Sequence, residues 1–542
     1  MKRICNFLIP VTAIVLFMGG CSSAGEPAAQ AAASSAPASA NQSAPPNPNT
    51  VPGVPTDDQR VADAIARVDG LAQDLMTKSG TPGMAVAVVH NGETVFAQGY
   101  GVREVGEPGK VDKDTTFAVA SVSKPIGATV IAKEVGDGTV AWDTPLVESM
   151  PDFKLSDPWV TRNVTIADMY AQCSGLPSEV PDRLEDLGYD QEQIINRLQY
   201  LPLDEFRTVL HYTNFGITSG ALAVAAAAGT DWATLSERDV YGPLGMTNTS
   251  SRHSDFEADP DHAPGHALVG ENTYEAKFNT SHDAMSPAGG VSSSASDVAT
   301  WLAMVMRGGP SADGTRIVDS DALTAAVTPQ IRLNPVSTDD TRQTFYGYGF
   351  EIDEDASGRI RIHHSGGYSQ GTGTAVMFVP NLDIGIVVLT NAAANGVAEA
   401  LTNEFVDMAE FGSVQQDWYS GFHQVLEATL TDPVGSLVGR TPPASPSPAA
   451  ANPAYVGTYE NDFYGPATVT DPGGALTLTL GPDHTKFPLT HWDGQTFTMV
   501  PIGENAPDGS ISKVTFEQTG TAPASAVTIE HLDLDGMGTF HR

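Results

Sequence analysis

The sequence predicts an α+β protein, in which helices flank an antiparallel sheet and a small all-β domain follows. Two apolar runs enclose Asn91-Gly92, which is the strongest short signal for a hairpin. A second hairpin is expected where residues 374–379 and 384–389 enclose a Pro-Asn-Leu-Asp turn. Helical patterns fill the chain between these hairpins, so we expect a sheet that closes late around a helical insertion.

Three helices can be placed from periodicity and end signals. From Val61 onwards, apolar residues recur on one helical face, and Gly80 is a plausible end for that helix. Thr165 and Asp168 form a capping box that opens another helix. Residues 297–306 have the pattern of a third.

Composition divides the chain into domains. We assign a first globular domain to residues 57–433 and a Pro-rich linker to residues 434–453. In residues 454–542, short strand-like runs alternate with Gly, Pro, Asn and Asp, which predicts a small all-β domain.

The net charge excludes one class of partner. The 542 residues contain 28 Lys+Arg and 65 Asp+Glu, which gives a formal charge of −37. Phosphate backbones repel such a polyanion, so we expect no nucleic-acid partner. The charge favours a well-solvated surface and does not identify a substrate.

The N-terminus has the features of a targeting segment. Two basic residues precede a short apolar run, and small residues then precede Cys21, as in a bacterial lipobox. We therefore expect residues 1–20 to be a lipoprotein signal peptide and Cys21 to carry a lipid that anchors the chain to a membrane. Residues 21–56, rich in Ala, Ser and Pro, would be a disordered tether. An uncleaved anchor helix is the alternative, and both place the protein in the cell envelope, outside the cytoplasm.

The first candidate catalytic motif is a serine followed three residues later by a lysine. Ser121 and Lys124 would share one helix face, so that the amine reaches the hydroxyl and activates it. Pro125 suits the first helical turn, which places Ser121 at a helix N-terminus. The same spacing recurs at Ser510 and Lys513, where a strand pattern follows and the two side chains would face apart.

A second motif places a tyrosine and an asparagine two residues apart. A hydroxyl at Tyr212 near a lysine can relay protons, and the amide of Asn214 can hold a substrate carbonyl. Tyr459 and Asn461 repeat the spacing without a helical Ser-x-x-Lys upstream, so we regard them as a chance match.

The third motif precedes the late hairpin and consists of His364, Ser365, Gly366 and Gly367. Two consecutive glycines allow the backbone to approach a ligand closely. A similar triplet at residues 78–80 lies before Ser121 and at a helix end, which makes it a poorer candidate.

In this order, the three motifs resemble the signature of the serine β-lactamase and penicillin-binding-protein superfamily, which includes class C β-lactamases, DD-peptidases and family VIII esterases. Stretches such as Ser174-Gly-Leu-Pro and Pro243-Leu-Gly-Met-Thr are also similar to that family, and the resemblance covers residues 60–410. The C-terminal segment resembles the small lipocalin-like β-barrel often appended to these hydrolases.

The resemblance implies a role for each motif. Ser121 would attack a carbonyl, with either Lys124 or Tyr212 accepting its proton. Asn214 would orient the substrate. Main-chain N–H groups of Ser121 and Gly367 would form the oxyanion hole, and the rest of the third motif would bind substrate. Neither a metal nor an organic cofactor is implied.

One departure from the family pattern bears on the substrate. Relatives usually have lysine where this chain has His364, and a histidine is mostly neutral at pH 7, since its reference pKa is about 6.5. We therefore expect an exported serine hydrolase acting on an ester, an amide or a D-amino-acid peptide. A DD-carboxypeptidase, a β-lactamase and a penicillin-binding scaffold or receptor remain alternatives.

Other reactive residues have simpler explanations. Cys173 would be the only cysteine left with a free thiol after processing, and a small buried side chain is its commoner role. Acidic residues and histidines cluster between residues 255 and 266, where a solvated loop is a better explanation than a metal site.

Overall fold

The computed structural model describes residues 50–333 and 342–542. The fold described below belongs to the unit Pro52–Arg542. The predicted signal peptide, Cys21 and most of the predicted tether lie outside the described residues. Within the described ranges, no helix combines the length and apolar character needed to cross a membrane.

Helices cover much of the chain before residue 432. In the described ranges they are α1 (Asp58–Ser79), α2 (Ser123–Gly136), α3 (Pro158–Asn163), α4 (Ile166–Tyr170), α5 (Asp182–Asp186), α6 (Gln191–Arg197), α7 (Asn214–Ala227), α8 (Trp232–Ser236), α9 (Gly242–Leu244), α10 (His253–Ala258), α11 (Ser286–Gly289), α12 (Ala295–Met306), α13 (Ser320–Ala326), α14 (Val397–Phe411) and α15 (Trp418–Thr431).

Strands occur at both ends of the helical insertion and throughout the C-terminal region. In the same ranges they are β1 (Gly83–His90), β2 (Glu93–Gly101), β3 (Thr116–Ala118), β4 (Ala267–Gly270), β5 (Thr273–Glu275), β6 (Ser292–Ser294), β7 (Ile331–Arg332), β8 (Phe345–Tyr346), β9 (Glu351–Glu354), β10 (Ile360–Tyr368), β11 (Thr372–Val379), β12 (Ile384–Thr390), β13 (Gly457–Tyr459), β14 (Ala467–Thr470), β15 (Thr477–Leu480), β16 (Thr485–Pro488), β17 (Thr490–Asp493), β18 (Thr496–Met499), β19 (Ser512–Glu517), β20 (Ala526–Ile529) and β21 (Thr539–His541).

The main sheet is antiparallel and is covered on both faces. Among the described residues its strand order is β2-β1-β12-β11-β10-β9-β8-β7. Side chains alternate across it: Met84 and Val86 of β1 pack against α1 and α14, whereas Ala85 and Ala87 face the helical insertion. The early and late predicted hairpins therefore belong to one sheet, in which β1 lies beside β12.

The predicted local signals are present. Asn91 and Gly92 form the turn between β1 and β2 with φ of 53° and 73°, as an Asn-Gly hairpin requires. Gly80 ends α1 in the left-handed conformation, with φ of 70°. The capping box at Thr165 opens α4, and α12 contains the third predicted helix.

The N-terminal segment joins the domain earlier than predicted. Gly53 N–H donates to Ser357 O at 2.7 Å, and the Thr56 hydroxyl donates to Ala409 O at 2.7 Å. The Arg359 guanidinium also donates to Val54 O at 2.9 Å. Residues 53–56, which the composition assigns to the tether, thus form hydrogen bonds with the folded domain.

The C-terminal region is all-β, as predicted, but it is not the closed barrel that we expected. Within the described residues, β13–β16 form one antiparallel sheet and β17–β21 another. Glu460 and His541 join the two sheets through a single bridge. The chain changes sheet at Leu489, whose N–H donates to Leu476 O. The spacing of apolar runs in the sequence predicts the strands. Closure of the two sheets into a barrel depends instead on which strand edges meet, and the spacing does not determine that.

The C-terminal region packs on the segment that contains α5 and α6. The Tyr189 hydroxyl donates to Tyr464 O at 2.7 Å, and the Arg183 guanidinium donates to His531 O at 2.7 Å. Apolar side chains from both regions belong to one buried cluster. Helix α5 therefore lies against the C-terminal region while its first residue, as shown below, contacts the candidate site.

Candidate active site

Ser121 lies in a tight turn between β3 and α2. Ala118 ends β3, and a 3-10 turn over Ala120–Val122 leads directly into the helix at Ser123. Ala120 has φ of 47°, a left-handed conformation that residues other than glycine rarely adopt. Such strain is typical of functional sites, and here it occurs immediately before the candidate nucleophile.

Lys124 is bonded to three oxygen atoms. Its Nζ lies 2.9 Å from Ser121 Oγ and 2.8 Å from Asn214 Oδ1. The third partner, Ala288 O, is 2.9 Å away. The Asn214 and Ala288 oxygens accept only, so they take two N–H bonds. A neutral amine then has its lone pair directed at the hydroxyl of Ser121.

The surroundings of Lys124 favour this neutral form. Its side chain is fully buried, and burial lowers the pKa of Lys124 to about 7. The carboxylates of Asp182 and Glu351 oppose this effect and raise the pKa again in part. Lys124 is consequently able to lose and regain a proton near neutral pH.

Asn214 is held in place from three directions. It begins α7, and the preceding Thr213 caps that helix. Gln172 Oε1 accepts the N–H of Thr213 at 2.9 Å, which fixes the segment from the end of α4. Asn214 Nδ2 donates to Asp182 Oδ2 at 3.0 Å, so its Oδ1 is oriented toward Lys124.

Tyr212 lies beside the same pair. Lys124 Nζ lies 4.6 Å from the centre of the Tyr212 ring. Burial raises the pKa of Tyr212 well above its ordinary value, so the resting phenol is neutral. The Ser121 side chain lowers the pKa of the Tyr212 phenol in part, which places the two hydroxyls near each other. A neutral phenol is able to donate a proton and is a poor base.

Strand β10 passes directly beside the turn that contains Ser121. A Cβ atom at Gly366 would lie 2.7 Å from Ser121 N, and equally close to Val119 O and Thr374 Oγ1. Glycine is therefore required at this position for the strand to approach so closely. Gly367, the next residue, is exposed.

The side chain of His364, which the sequence predicts to bind substrate, is buried in the protein. It is only 2 % exposed, and its Nδ1 lies 2.6 Å from Ser365 O, which can only accept. Nε2 must therefore accept the hydrogen bond from the Tyr346 hydroxyl at 3.1 Å. Burial lowers the pKa of His364 to about 3, and nearby Lys124 acts in the same direction. The imidazole is neutral, and both of its nitrogens already have protein partners.

The side chain of Ser365 also lies away from the predicted site. Ser365 pairs with Ala375, whose side chain belongs to the core between the sheet and α14. The Ser365 side chain lies close enough to Glu399 of α14 to influence the pKa of that carboxyl group. The side chain of Ser365 therefore lies on the α14 face of the sheet, and the role predicted for Ser365 in binding substrate stays a prediction.

The competing residues have structural roles. Burial raises the pKa of Cys173 to about 12, so this thiol is protonated at neutral pH. Asn461 donates to the main-chain oxygens of Met537 and Thr539 in the C-terminal region. Within the 255–266 stretch, His266 lies 3.0 Å from a main-chain oxygen, that of Asn391.

Several residues at this site carry no local signal in the sequence. Asp182 and Glu351 come from α5 and β9, and Tyr346 comes from β8. Each contacts or influences a predicted residue from a distant part of the chain. The carbonyl of Ala288 is invisible to residue-type patterns, because any residue supplies one.

Comparison with known families agrees with this geometry. The family model described as Beta-lactamase matches residues 68–409, more than half of the chain, and the chain belongs to this family. A second model, described as a domain of unknown function (DUF3471), matches residues 441–538.

Individual relatives are distant. An unguisins hydrolase of Aspergillus violaceofuscus is 26% identical over 447 residues, covering 77% of each chain. Beta-lactamase-like protein 2 of Dictyostelium discoideum is 24% identical over 450 residues, covering 79% of this chain and 76% of its own.

Solved structures share the fold. An octameric penicillin-binding protein homologue from Pyrococcus abyssi aligns with a TM-score of 0.55 and 18% identity, over 86% of this chain and 98% of its own. A class C beta-lactamase from Rhodobacter sphaeroides aligns with a TM-score of 0.51 and 20% identity, over 62% of this chain and 97% of its own.

Proposed function

We propose that this member of the Beta-lactamase family is a serine hydrolase that forms an acyl-enzyme on Ser121, with Lys124 as the general base. The observation that carries the proposal is the arrangement around Lys124. Two fixed acceptors take its N–H bonds, its lone pair is left for the Ser121 hydroxyl, and its pKa is about 7. A base with a pKa near the working pH combines availability with driving force.

The proposed reaction has two steps. Ser121 Oγ attacks the substrate carbonyl while its proton moves to Lys124, and the neutral Tyr212 hydroxyl protonates the leaving group. The proton on Lys124 then restores Tyr212. In the second step a water molecule attacks the acyl carbon and gives a proton to Lys124. The bond between the acyl carbon and Ser121 Oγ then breaks, Lys124 returns the proton to Ser121 Oγ, and the acid product leaves. Main-chain N–H groups of Ser121 and Gly367 would stabilise the oxyanion, as hydrogen-bond donors do in acyl transfer generally.

The substrate class follows from the charges around this site. His364 is neutral and has no free nitrogen, so the strand presents no cation there. The groups nearest Lys124 are the carboxyls of Asp182 and Glu351, whose pKa values are raised by burial, and neither would attract an anion. We therefore propose an ester, an amide or a D-amino-acid peptide that carries no charge where the strand would meet it, in preference to an anionic β-lactam.

Intact-mass spectrometry of the full chain in detergent tests the proposal. The protein is incubated with a p-nitrophenyl ester and, separately, with benzylpenicillin, and its mass is followed over time. We expect a transient acyl adduct from the ester that maps to Ser121 and is missing from Ser121→Ala.

The penicillin arm distinguishes the alternatives. A persistent penicillin adduct would indicate a penicillin-binding peptidase, and penicillin turnover with a brief adduct would indicate a β-lactamase. A folded protein that acquires no adduct from either reagent and hydrolyses neither would contradict the proposed chemistry and favour a scaffold or receptor.

We propose further that the protein is an exported lipoprotein anchored to a membrane through Cys21. The support comes from the basic, apolar and small residues that precede Cys21. Radiolabelled palmitate should be incorporated by the unmodified chain and not by Cys21→Ser, which should leave the membrane fraction. Equal labelling of both chains would contradict the proposal.

A further inference from the structure

The chain beyond Gly367 is held by a residue of the C-terminal region. Strand β10 ends at Tyr368, and the turn to β11 follows. In that turn, the main-chain N–H of Ser369 donates to Glu504 Oε1, and that of Gln370 donates to Glu504 Oε2 at 3.4 Å. The Ser369 hydroxyl adds a bond of 2.9 Å to the main-chain oxygen of Glu504. One glutamate thus binds two consecutive N–H groups of this turn.

The same glutamate also reaches the opposite side of the site. Its own N–H donates to Asp186 Oδ1 at 3.4 Å. Asp186 is the last residue of α5, and the first residue of that helix, Asp182, accepts the hydrogen bond from Asn214. Glu504 therefore links the strand that contains Gly367 to the helix that orients Asn214.

The side chain of Tyr368 and the main chain that follows it are held by different residues. The Tyr368 ring stacks on His282 with 4.0 Å between ring centres, and its hydroxyl donates to Gly289 O at 3.0 Å. These contacts hold the Tyr368 side chain. The main chain after Tyr368 is held instead by the two carboxyl oxygens of Glu504, whose pKa is raised by burial to about 7.

We propose that Glu504 is a positioning residue, which holds the Gly367 N–H in the place where the oxyanion of the reaction develops. The inference rests on the proposed serine-hydrolase function. Ser369 lies in the turn, two residues beyond Gly367, so a looser attachment of Ser369 would shift the Gly367 N–H. Oxyanion donors act through pre-set geometry, and a small displacement lowers the rate without weakening substrate binding.

The variant Glu504→Gln tests the inference in the full chain, because it keeps the side-chain shape and loses one acceptor oxygen. For the p-nitrophenyl ester we expect kcat to fall about 10-fold, a part of the about 100-fold loss seen when an oxyanion donor is removed altogether, while KM changes little. Asp508→Asn is the matched control in the same loop. Asp508 is exposed and pairs with Lys277, and its substitution should leave kcat unchanged.

A boronic acid, which forms a tetrahedral adduct on a catalytic serine, gives a second measurement. Its affinity for Glu504→Gln should fall by the same factor as kcat, because both depend on the oxyanion site. If Glu504→Gln only melts at a lower temperature, with kcat and boronate affinity unchanged, Glu504 is a structural residue and the inference is wrong. If the unmodified chain is inactive and Ser121→Ala changes nothing, it is the proposed function that fails.

Discussion

The chain contains the spacing Ser-x-x-Lys twice, and the two copies have different surroundings. At the first, Lys124 Nζ lies 2.9 Å from Ser121 Oγ, and the lysine is completely buried. At the second, Lys513 Nζ donates to Ser436 Oγ at 3.4 Å, and Ser510 binds main-chain groups. Identical spacing therefore produces a candidate catalytic pair in one place and two unrelated side chains in the other.

The backbone explains the difference. Ser121 leads into α2, and residues three apart on a helix lie on the same face. Lys513 belongs to β19, where successive side chains alternate between faces. A motif therefore has chemical meaning only together with the secondary structure that brings its residues into contact.

The largest difference between the two Ser-x-x-Lys copies is expected when the serine hydroxyl of each is removed. Ser121→Ala should lower kcat/KM for the p-nitrophenyl ester by about 10³-fold or more, because no nucleophile remains. Ser510→Ala should leave that rate unchanged. Both are measured by initial rates, and a similar loss in the two variants would mean that the helical copy is not the nucleophile.

The next largest difference in activity is expected when the lysine amine of each copy is removed. Lys124→Met keeps the length of the side chain and eliminates the base, so we expect kcat to fall about 10²-fold. Lys513→Met should have the activity of the unmodified chain. Circular dichroism checks that Lys124→Met is folded, and full activity in that folded variant would exclude Lys124 as the base.

The pH profile distinguishes the buried lysine from an ordinary one. Burial lowers the pKa of Lys124 to about 7, and only the neutral amine accepts a proton, so activity must rise with pH. From pH 6 to pH 8 we expect kcat/KM for a neutral ester to increase about 10-fold. A flat profile over that range would contradict a titrating Lys124.

The smallest effect concerns the stability that the second serine provides. Ser510 is 2 % exposed; its hydroxyl accepts from Val434 N–H at 3.0 Å and donates to Pro507 O at 2.6 Å. Ser510→Ala should therefore lower the free energy of unfolding by about 1 kcal/mol in urea titrations. Ser436→Ala, an exposed serine in the same region, is the control and should have a smaller effect.

Local patterns are sufficient for the elements that depend on neighbours in sequence. The Asn91-Gly92 hairpin, the end of α1 at Gly80 and the pairing of Ser121 with Lys124 each follow from residues within a few positions of one another. Such features are predictable because backbone geometry alone relates the residues involved.

Features that depend on distant residues are not predictable in this way. His364 was expected to face substrate, but Tyr346 from another strand binds its Nε2. Asp182 and Glu504 lie in segments without any catalytic pattern, and only folding brings them near Asn214 and the end of β10. The prediction of a closed C-terminal barrel was wrong for the same reason, because closure depends on contacts between strand edges that are distant in sequence.

The burial of Lys124 also determines how the protein responds to amine-directed reagents. An amine with a pKa of about 7 is about half uncharged at neutral pH and would ordinarily be a preferred target for acylating labels. Because its side chain has no exposed surface, only a reagent that fits the substrate's path reaches it. Fluorophores or solid supports are therefore directed to surface lysines such as Lys113, which is half exposed. Conjugation through lysine should leave the candidate catalytic amine unmodified.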